Sequence, residues 1–322
     1  MKKHYNPIGS IMLPLLFIFA FLLCWCGAMA HAQTYGGAGG SVLHNATVYS
    51  VHGSYTWTKP ANVGYVSALL IGAGGGGGGA YDSNTSSFVY YGGGGGGAGS
   101  CTQITRFSVT SNLTITVGQG GAGGTTATSP SNGGNGGTTS VAMGSVYYIA
   151  PGGSGGSAGA DLLGGGGGIS AFNYNLGTNA GGAGVSNATP NNGSNGTYLA
   201  NSASLPYLFM TGGGGGGGNG SNTGASTYTG GVGGGLWCAA GGSGGTNATS
   251  TAAAGTAYLP DLTISGGSTY LSQGGLGAYC GGAATSGSNG AGGGGGGGCY
   301  STNTTYNGAA GGDGYVVLWY DQ

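Results

Sequence analysis

Apolar and polar residues alternate in short stretches of this chain, and the alternation predicts β-strands. In the first block, from Val42 to Ile71, Tyr55 and Trp57 share one parity and threonines occupy the other. Lys59–Asn62 contains a proline and an asparagine and predicts a turn. Val63–Ile71, which is mostly apolar, is then expected to be the next strand.

Three later blocks show the same two-residue period. They are Cys101–Gly118, Thr138–Ala150 and Gly314–Tyr320, and within the first of them Leu113–Val117 alternates cleanly with threonine. Beyond the N-terminal segment, no stretch has a persuasive helical period. The chain is therefore expected to be all-β, with a small β-sandwich-like platform built from its N-terminal and C-terminal strands.

Runs of glycine separate these blocks. A glycine run has no side chains to pack and loses much conformational freedom on ordering, so it forms a poor α-helix or strand. It can adopt the extended polyglycine II form with three residues per turn, in which six residues span roughly 19 Å and the backbone groups must pair laterally. We predict that the platform frames a bundle of polyglycine II helices and glycine-rich loops, the alternative being flexible spacers. Five long runs would supply the bundle: Gly74–Gly79, Gly92–Gly97, Gly164–Gly168, Gly212–Gly218 and Gly292–Gly298.

The composition favours ordered structure over disorder. Glycine supplies 87 of the 322 residues, which alone would suggest low complexity. The chain also holds 21 Tyr, four Trp and seven Phe with only 3% charged residues, whereas disordered segments are usually charged and poor in aromatics. Past the N-terminal segment only Lys59 and Arg106 are basic, so binding to nucleic acid or to an anionic membrane is not expected.

Residues 1–32 are predicted to be a secretory signal peptide. Lys2 and Lys3 begin it, Ile11–Cys26 is almost wholly apolar, and Ala30-His31-Ala32 offers a small-residue cleavage site. An uncleaved anchor is the alternative, although the apolar run is short for a membrane span. The mature protein is expected to be secreted or at the cell surface, without membrane attachment. It would hold a flexible lead-in and first strand over 33–54 and a glycine-rich β/polyglycine domain over 55–322.

Four cysteines remain after cleavage, and an even number in an exported chain predicts two disulfides. Four unpaired thiols are the alternative. A metal site is not expected, because no C-x-x-C spacing occurs and no histidine lies near these cysteines in the sequence. Three pairings are open for the candidates Cys101, Cys238, Cys280 and Cys299.

The order of these parts resembles a known family. Tyr55–Gly75, in which an aromatic-Thr strand, a proline turn and a Val-rich strand enter a glycine block, is similar to the opening of the glycine-rich domain in phage tail-fibre proteins. Leu113–Gly121 and Gly312–Tyr320 resemble the middle and final strands of that domain. The resemblance covers Tyr55–Tyr320 and implies an adhesin that displays variable loops on polyglycine helices. The glycine-rich extracellular regions of some receptor kinases are similar in architecture. Tail fibres carry no signal peptide, so the predicted export favours a bacterial surface or secreted protein over a part of a virion.

No catalytic constellation is predicted. The pattern G-x-S-x-G occurs at Gly152–Gly156 and Gly241–Gly245, but in such glycine-rich sequence the pattern is nearly inevitable. His44 and His52 are the only histidines of the mature chain, and Asp313 is expected to form a turn before the last strand. Neither a cofactor, nor a metal ion, nor enzymatic activity is expected.

Polar-aromatic inserts between the glycine runs carry the candidate binding residues. Tyrosine and asparagine suit sugar recognition through ring stacking and uncharged hydrogen bonds, so a surface glycan or an outer-surface protein is the expected partner. The alternative function is a structural extracellular matrix or envelope protein that self-assembles, and the oligomeric state stays open. Some of the candidates would otherwise only cap the ends of the bundle. The candidates are Tyr81, Phe88, Tyr90, Tyr91, Phe172, Tyr174, Tyr198, Tyr207, Phe209, Trp237, Tyr300 and Tyr306.

Overall fold

The computed structural model describes residues 33–35, 44–82, 90–159, 274–275, 277–278, 283–299 and 304–321. These residues form antiparallel strands and extended segments, which confirms the all-β prediction. Within them there is no helix of the length and apolarity that a membrane crossing requires. The strands are β1 (Gln33–Tyr35), β2 (His44–Tyr49), β3 (Gly53–Trp57), β4 (Tyr65–Ile71), β5 (Tyr81–Asp82), β6 (Tyr90–Tyr91), β7 (Cys101–Ser108), β8 (Leu113–Val117), β9 (Thr139–Met143), β10 (Val146–Ala150), β11 (Gly297–Cys299), β12 (Thr304–Tyr306) and β13 (Tyr315–Asp321).

Two antiparallel sheets form the platform. The first has the order β1-β2-β13-β4-β7, and the second has the order β10-β9-β8-β3. Strand β13 pairs with β2 on one side and with β4 on the other, for example through Trp319↔Ala46 and Trp319↔Ser67. The last strand of the chain therefore completes a sheet that the first strands begin.

The main core lies between the two sheets because alternate residues of each strand face inward. In β8, Leu113, Ile115 and Val117 are buried, whereas Thr114 is exposed. Both sheets contribute to the core, which also holds Trp57, Val63, Val66, Ala68, Leu70, Phe107, Val109, Val141, Ala150, Val316 and Leu318.

Strands β4 and β13 are buried on both faces. Leu69, Ile71, Tyr315 and Val317 form a second apolar cluster on the face of the first sheet that points away from the main core. This explains why the second half of β4 is an unbroken apolar run instead of an alternating one. Burial raises the pKa of Tyr315 to about 12.

The strand blocks expected from the sequence are present, and five short strands are additional. Gln33–Tyr35, expected to be flexible, forms β1 and pairs with β2 through Thr34↔Asn45; residues 36–43 lie outside the described part. The other four, β5, β6, β11 and β12, have only two or three residues each. Strands β5, β6 and β12 lie within inserts that were expected to be loops, and β11 consists of the last two residues of the run Gly292–Gly298 and Cys299.

Extended glycine-rich segments run from the sandwich as a bundle, here called the glycine bundle. Segment 72–80 is surrounded by six others, with which it exchanges backbone hydrogen bonds. It is antiparallel to 92–100, 131–138 and 308–314, and parallel to 118–127, 151–159 and 291–296.

The hydrogen bonds of the central segment rotate among its neighbours with a period of three. The N–H groups of Gly75, Gly76 and Gly77 donate to the carbonyls of Gly97, Gly134 and Ala309 at 2.8, 2.9 and 2.8 Å. The N–H of Gly78 then donates again to the first of these neighbouring segments, 92–100. The carbonyl groups rotate in the same way among the three parallel segments. A backbone with three residues per turn and no internal hydrogen bonds requires this kind of lateral pairing.

The six outer segments also bond to one another and close a ring. Around the ring, hydrogen bonds join 92–100 to 151–159, then to 131–138, 118–127, 308–314 and 291–296, which bonds back to 92–100. Neighbouring backbones are so close that a Cβ atom added at any of Gly74–Gly79 would overlap a carbonyl group of another segment. Only glycine therefore fits at positions 74–79 of the central segment.

The outer segments with an exposed face have a Gly-Gly-X sequence. In 118–127 the third positions are Gln119, Ala122 and Thr125, and all three are exposed. In 131–138 they are Asn132, Asn135 and Thr138, again exposed. Segments 92–100 and 291–296, by contrast, are buried wherever their side chains are described and contain uninterrupted glycine runs.

Three of the five glycine runs expected to form the bundle lie in these segments. The other two, Gly164–Gly168 and Gly212–Gly218, lie outside the described residues. The assignment of the segments to the polyglycine II helix stays a prediction, supported by the three-residue period of the hydrogen bonds.

Candidate binding surface at the distal end of the bundle

The glycine bundle has a proximal end at the sandwich and a distal end away from it. Segment 72–80 continues directly from β4 and leads to β5, and 92–100 leads from β6 back to β7. In the same way, 291–296 leads to β11 and 308–314 leads from β12 back to β13. The hairpins β5–β6 and β11–β12 therefore lie together at the distal end.

The first distal hairpin carries three of the candidate tyrosines. Tyr81 pairs with Tyr91, and Asp82 pairs with Tyr90. The N–H of Asp82 donates to the carbonyl of Ala127 at 3.0 Å, which attaches the hairpin to the last residue of segment 118–127. The hairpin is thus fixed to the bundle by a backbone hydrogen bond.

Thr126 links the two distal hairpins. Its hydroxyl donates to the carbonyl of Tyr306 at 2.7 Å and accepts a hydrogen bond from the N–H of Ala80 at 3.1 Å. Its own N–H donates to Oδ1 of Asn307 at 2.7 Å. One half-buried threonine therefore holds the residue before β5 and the residues at the end of β12 together.

The chemistry of the described distal surface is that of uncharged phenols and hydroxyls. Tyr81 and Tyr306 are half-buried, so part of each ring is accessible. Among the distal residues that the structure describes, Asp82 is the one charged side chain. In the described part of the chain, no group of three or more His, Cys, Asp or Glu residues could hold a metal ion.

Four of the twelve candidate residues are described, and all four lie at the distal end. They are Tyr81, Tyr90, Tyr91 and Tyr306. The other eight candidates lie outside the described residues: Phe88, Phe172, Tyr174, Tyr198, Tyr207, Phe209, Trp237 and Tyr300.

The backbone excludes one of the three disulfide pairings. Cys101 begins β7 at the proximal end, whereas Cys299 ends β11 at the distal end. The N–H of Gly93 donates to Gly296, and the eight residues from Gly93 to Cys101 span roughly 25 Å in an extended backbone. A disulfide needs Cα atoms within about 7 Å, so Cys101 does not pair with Cys299. Cys238 and Cys280 lie outside the described residues.

One contact between a histidine and an aspartate was not predicted from the sequence. Nδ1 of His52 lies 2.8 Å from Oδ2 of Asp313, and the other oxygen of Asp313 accepts a hydrogen bond from the N–H of Gly120 at 2.9 Å. Burial alone would raise the pKa of Asp313, but the hydrogen bonds from Gly120 and His52 outweigh it and hold that pKa below its usual value. The two residues are 261 positions apart, so no local pattern could have found the pair.

The expected role of Asp313 as a turn residue is too narrow, because its carboxylate caps the bundle. The N–H of Gly120, on a neighbouring segment, donates a hydrogen bond to this carboxylate. Asn132 and Asn135 act in the same way, since their Oδ1 atoms accept hydrogen bonds from Ala158 at 2.8 Å and Gly155 at 2.9 Å. The Gly-Gly-X spacing is the signal that could have revealed these caps.

A family model described as "Glycine-rich domain" matches residues 47–321. This chain belongs to that family. No curated protein matches the chain.

The match to the glycine-rich domain begins within β2 and ends at the last residue of β13. It therefore includes the seven segments of the glycine bundle and both distal hairpins, while β1 precedes it. The distal tyrosines and the His52–Asp313 pair are thus parts of one glycine-rich domain.

Proposed function

We propose that this protein is an exported, non-enzymatic adhesin whose distal surface binds glycans of another cell surface. The observation that carries the proposal is the position of the described candidate tyrosines. Tyr81, Tyr90, Tyr91 and Tyr306 come from two hairpins far apart in the sequence and lie at the same end of the bundle. The rings and hydroxyls of tyrosine can both stack on and hydrogen-bond to a neutral sugar.

The construction of the bundle supports a display function. Backbone hydrogen bonds on all sides hold the central segment, so the distal hairpins stand on a scaffold with few side-chain degrees of freedom. Preorganisation of this kind reduces the entropy lost when a ligand is bound. The resemblance to tail-fibre domains, and the predicted signal peptide over residues 1–32, favour export of a receptor-binding protein of bacterial origin.

A glycan array probed with the mature chain, residues 33–322, tests the proposal. Tyr81→Ala and Tyr306→Ala are expected to reduce binding to the recognised glycans at least about tenfold, as for loss of a central aromatic contact. Tyr147→Ala is the matched control, because Tyr147 is 67% exposed but lies on the platform. Absence of any glycan binding, or equal losses in all three variants, would refute distal recognition.

A self-assembling matrix or envelope protein is the second candidate, and strand β10 favours it. This strand lies at the edge of the second sheet, and Val146, Tyr147 and Ile149 on it are exposed. Exposed apolar residues on an edge strand are a common site of strand addition by another molecule.

Electron microscopy of the mature chain distinguishes this second candidate. It predicts filaments or sheets that disappear in the Ile149→Lys variant, because a charge on an edge strand blocks pairing. Monodisperse particles at high protein concentration would leave the adhesin as the better assignment.

A further inference from the structure

Arg106, which is the only arginine of the chain, lies in a β-bulge between β4 and β7. Val66 pairs with Phe107 and Ala68 pairs with Ile104, so two residues of β7 face the single residue Ser67. A bulge of this kind turns a side chain out of the regular alternation of the strand.

The backbone of Arg106 is in the left-handed region, with φ at 50°. Residues with a Cβ atom rarely adopt this conformation, and it persists only where surrounding contacts impose it. Here the N–H of Arg106 donates to the hydroxyl of Ser67 at 3.1 Å, which fixes the bulge to the neighbouring strand. Arg106 therefore occupies a position where glycine or asparagine would be less strained.

The guanidinium of Arg106 stacks on an accessible aromatic ring. Its central carbon lies 4.7 Å from the centroid of Tyr65, whose side chain is 52% exposed. Because Val66 faces the core, Tyr65 faces the outer surface of the first sheet. An arginine that lies over an aromatic ring can still bind a ligand through the N–H edges of its guanidinium.

Arg106 pairs with no carboxylate among the residues that the structure describes. A guanidinium fork without a carboxylate partner matches the carboxylate of a ligand, which it can bind through two parallel hydrogen bonds. The exposed part of the Tyr65 ring lies beside the guanidinium. It offers an apolar face against which the ring of a ligand that bears the carboxylate can pack.

We propose that Arg106 and Tyr65 form a second binding site, for the carboxylate of an acidic saccharide such as a uronic acid. Arg106 binds the carboxylate, and Tyr65 packs against the sugar ring. The site lies at the end of β4 away from the bundle. The strand and the central segment together separate it from Tyr81 by roughly 50 Å. It is therefore independent of the proposed distal surface.

Calorimetric titration of the mature chain with trigalacturonic acid, and with the neutral galactose trimer of the same linkage, tests the site. The acidic trimer is expected to bind at least about tenfold more tightly than the neutral one at low ionic strength. Arg106→Gln should weaken binding of the acid at least about tenfold, and Arg106→Lys should also weaken it, because lysine keeps the charge but lacks the fork. Tyr65→Leu should give a smaller loss.

Lys59→Gln is the matched control, because it removes the only other basic residue beyond the N-terminal segment. It should change binding of the acidic trimer less than twofold. Arg106→Gly, which relieves the backbone strain, should lose binding while keeping the melting temperature, and so separates recognition from folding.

Three results would overturn the site. Equal binding of the neutral trimer would remove the role of the carboxylate, and unchanged binding in both Arg106→Gln and Arg106→Gly would remove the role of the arginine. Competition by acetate at the same concentration as the trimer would show that only a carboxylate is held and that no sugar ring is recognised.

Discussion

Replacing Gly76 with alanine tests the close packing at the centre of the glycine bundle. A Cβ atom at this position would overlap the carbonyl oxygen of Ala122 and would lie 2.8 Å from the carbonyl oxygen of Gly121. Ordinary Cβ contacts begin at 3.4 Å, so segment 118–127 would have to move by more than the 0.6 Å difference. The overlapping atoms belong to backbone, which cannot move aside as the end of a flexible side chain can.

The cost follows from the hydrogen bonds that such a movement would break. Segment 118–127 is held by the bond from Gly121 to Gly74 at 2.9 Å and by the bond from Gly134 to Ala122 at 2.7 Å. Lengthening the first by more than 0.6 Å takes it past 3.5 Å, where hydrogen bonds are no longer effective. The buried Gly121–Gly74 pair left unsatisfied costs about 1–3 kcal/mol, and overpacking adds about 1–3 kcal/mol. The substitution should therefore destabilise the domain by about 2–6 kcal/mol.

Differential scanning calorimetry of the mature chain measures this effect. At about 2 °C per kcal/mol for a domain of this size, Gly76→Ala should lower the melting temperature by about 4–12 °C. Gly64→Ala is the matched control, because a Cβ there meets no atom within 4 Å. It should leave the melting temperature unchanged or raise it slightly, since alanine restricts the unfolded chain.

Gly144→Ala separates steric overlap from backbone strain. Gly144 has open space around it but a φ of 59°, so alanine there should cost about 1 kcal/mol. The expected order of melting temperatures is Gly64→Ala above Gly144→Ala above Gly76→Ala. If Gly76→Ala melts within 2 °C of Gly64→Ala, the close packing described for the central segment is wrong.

Three further substitutions test the contacts around the bundle. Asp313→Asn should destabilise the protein at neutral pH by roughly 1 kcal/mol after solvent screening. Hydrogen bonds hold the pKa of Asp313 below its usual value, so the difference in the free energy of unfolding between the protein and this variant should be full above about pH 4. It should vanish as the pH falls through the lower folded-state pKa. A difference that grows in acid would contradict the assignment. Thr139→Val should cost about 1–3 kcal/mol in urea unfolding, because the buried hydroxyl of Thr139 accepts the N–H of Gly118 at 3.1 Å and valine leaves that group unsatisfied. Asn135→Ala should cost less than about 1 kcal/mol, because water can replace its bond to the exposed N–H of Gly155; amide hydrogen exchange at Gly155 should nevertheless accelerate, and unchanged exchange would exclude the cap.

The sandwich strands could be predicted because their signal is local. Alternation in Leu113–Val117 identified both the strand and its buried face, since a strand with one buried face repeats every two residues. The pairing of the strands could not be predicted in the same way. Strand β13 lies between β2 and β4, and its contacts depend on chain closure over more than 240 residues.

Four of the six outer segments of the bundle were missed because their sequence is not a pure glycine run. Segments 118–127 and 131–138 carry Gln119, Thr125, Asn132 and Asn135, which resemble loop residues in a linear reading. Their spacing of three residues was the available signal, because every third position of these two segments is exposed. The distal hairpins were missed for another reason: strands of two or three residues carry too little pattern to distinguish them from loops.

Because the hydrogen-bond partners rotate every three residues, the length of each glycine segment determines which neighbour each later N–H group faces. Inserting three residues into segment 72–80 would lengthen it by one turn and return every later group to its original neighbour. Inserting one residue would turn every later N–H through a third of a turn, so that a donor now aimed at 92–100 would face 131–138. Related domains should therefore differ in the lengths of their bundle segments by multiples of three residues. Two glycine runs of the same composition are interchangeable only if their lengths differ by a multiple of three.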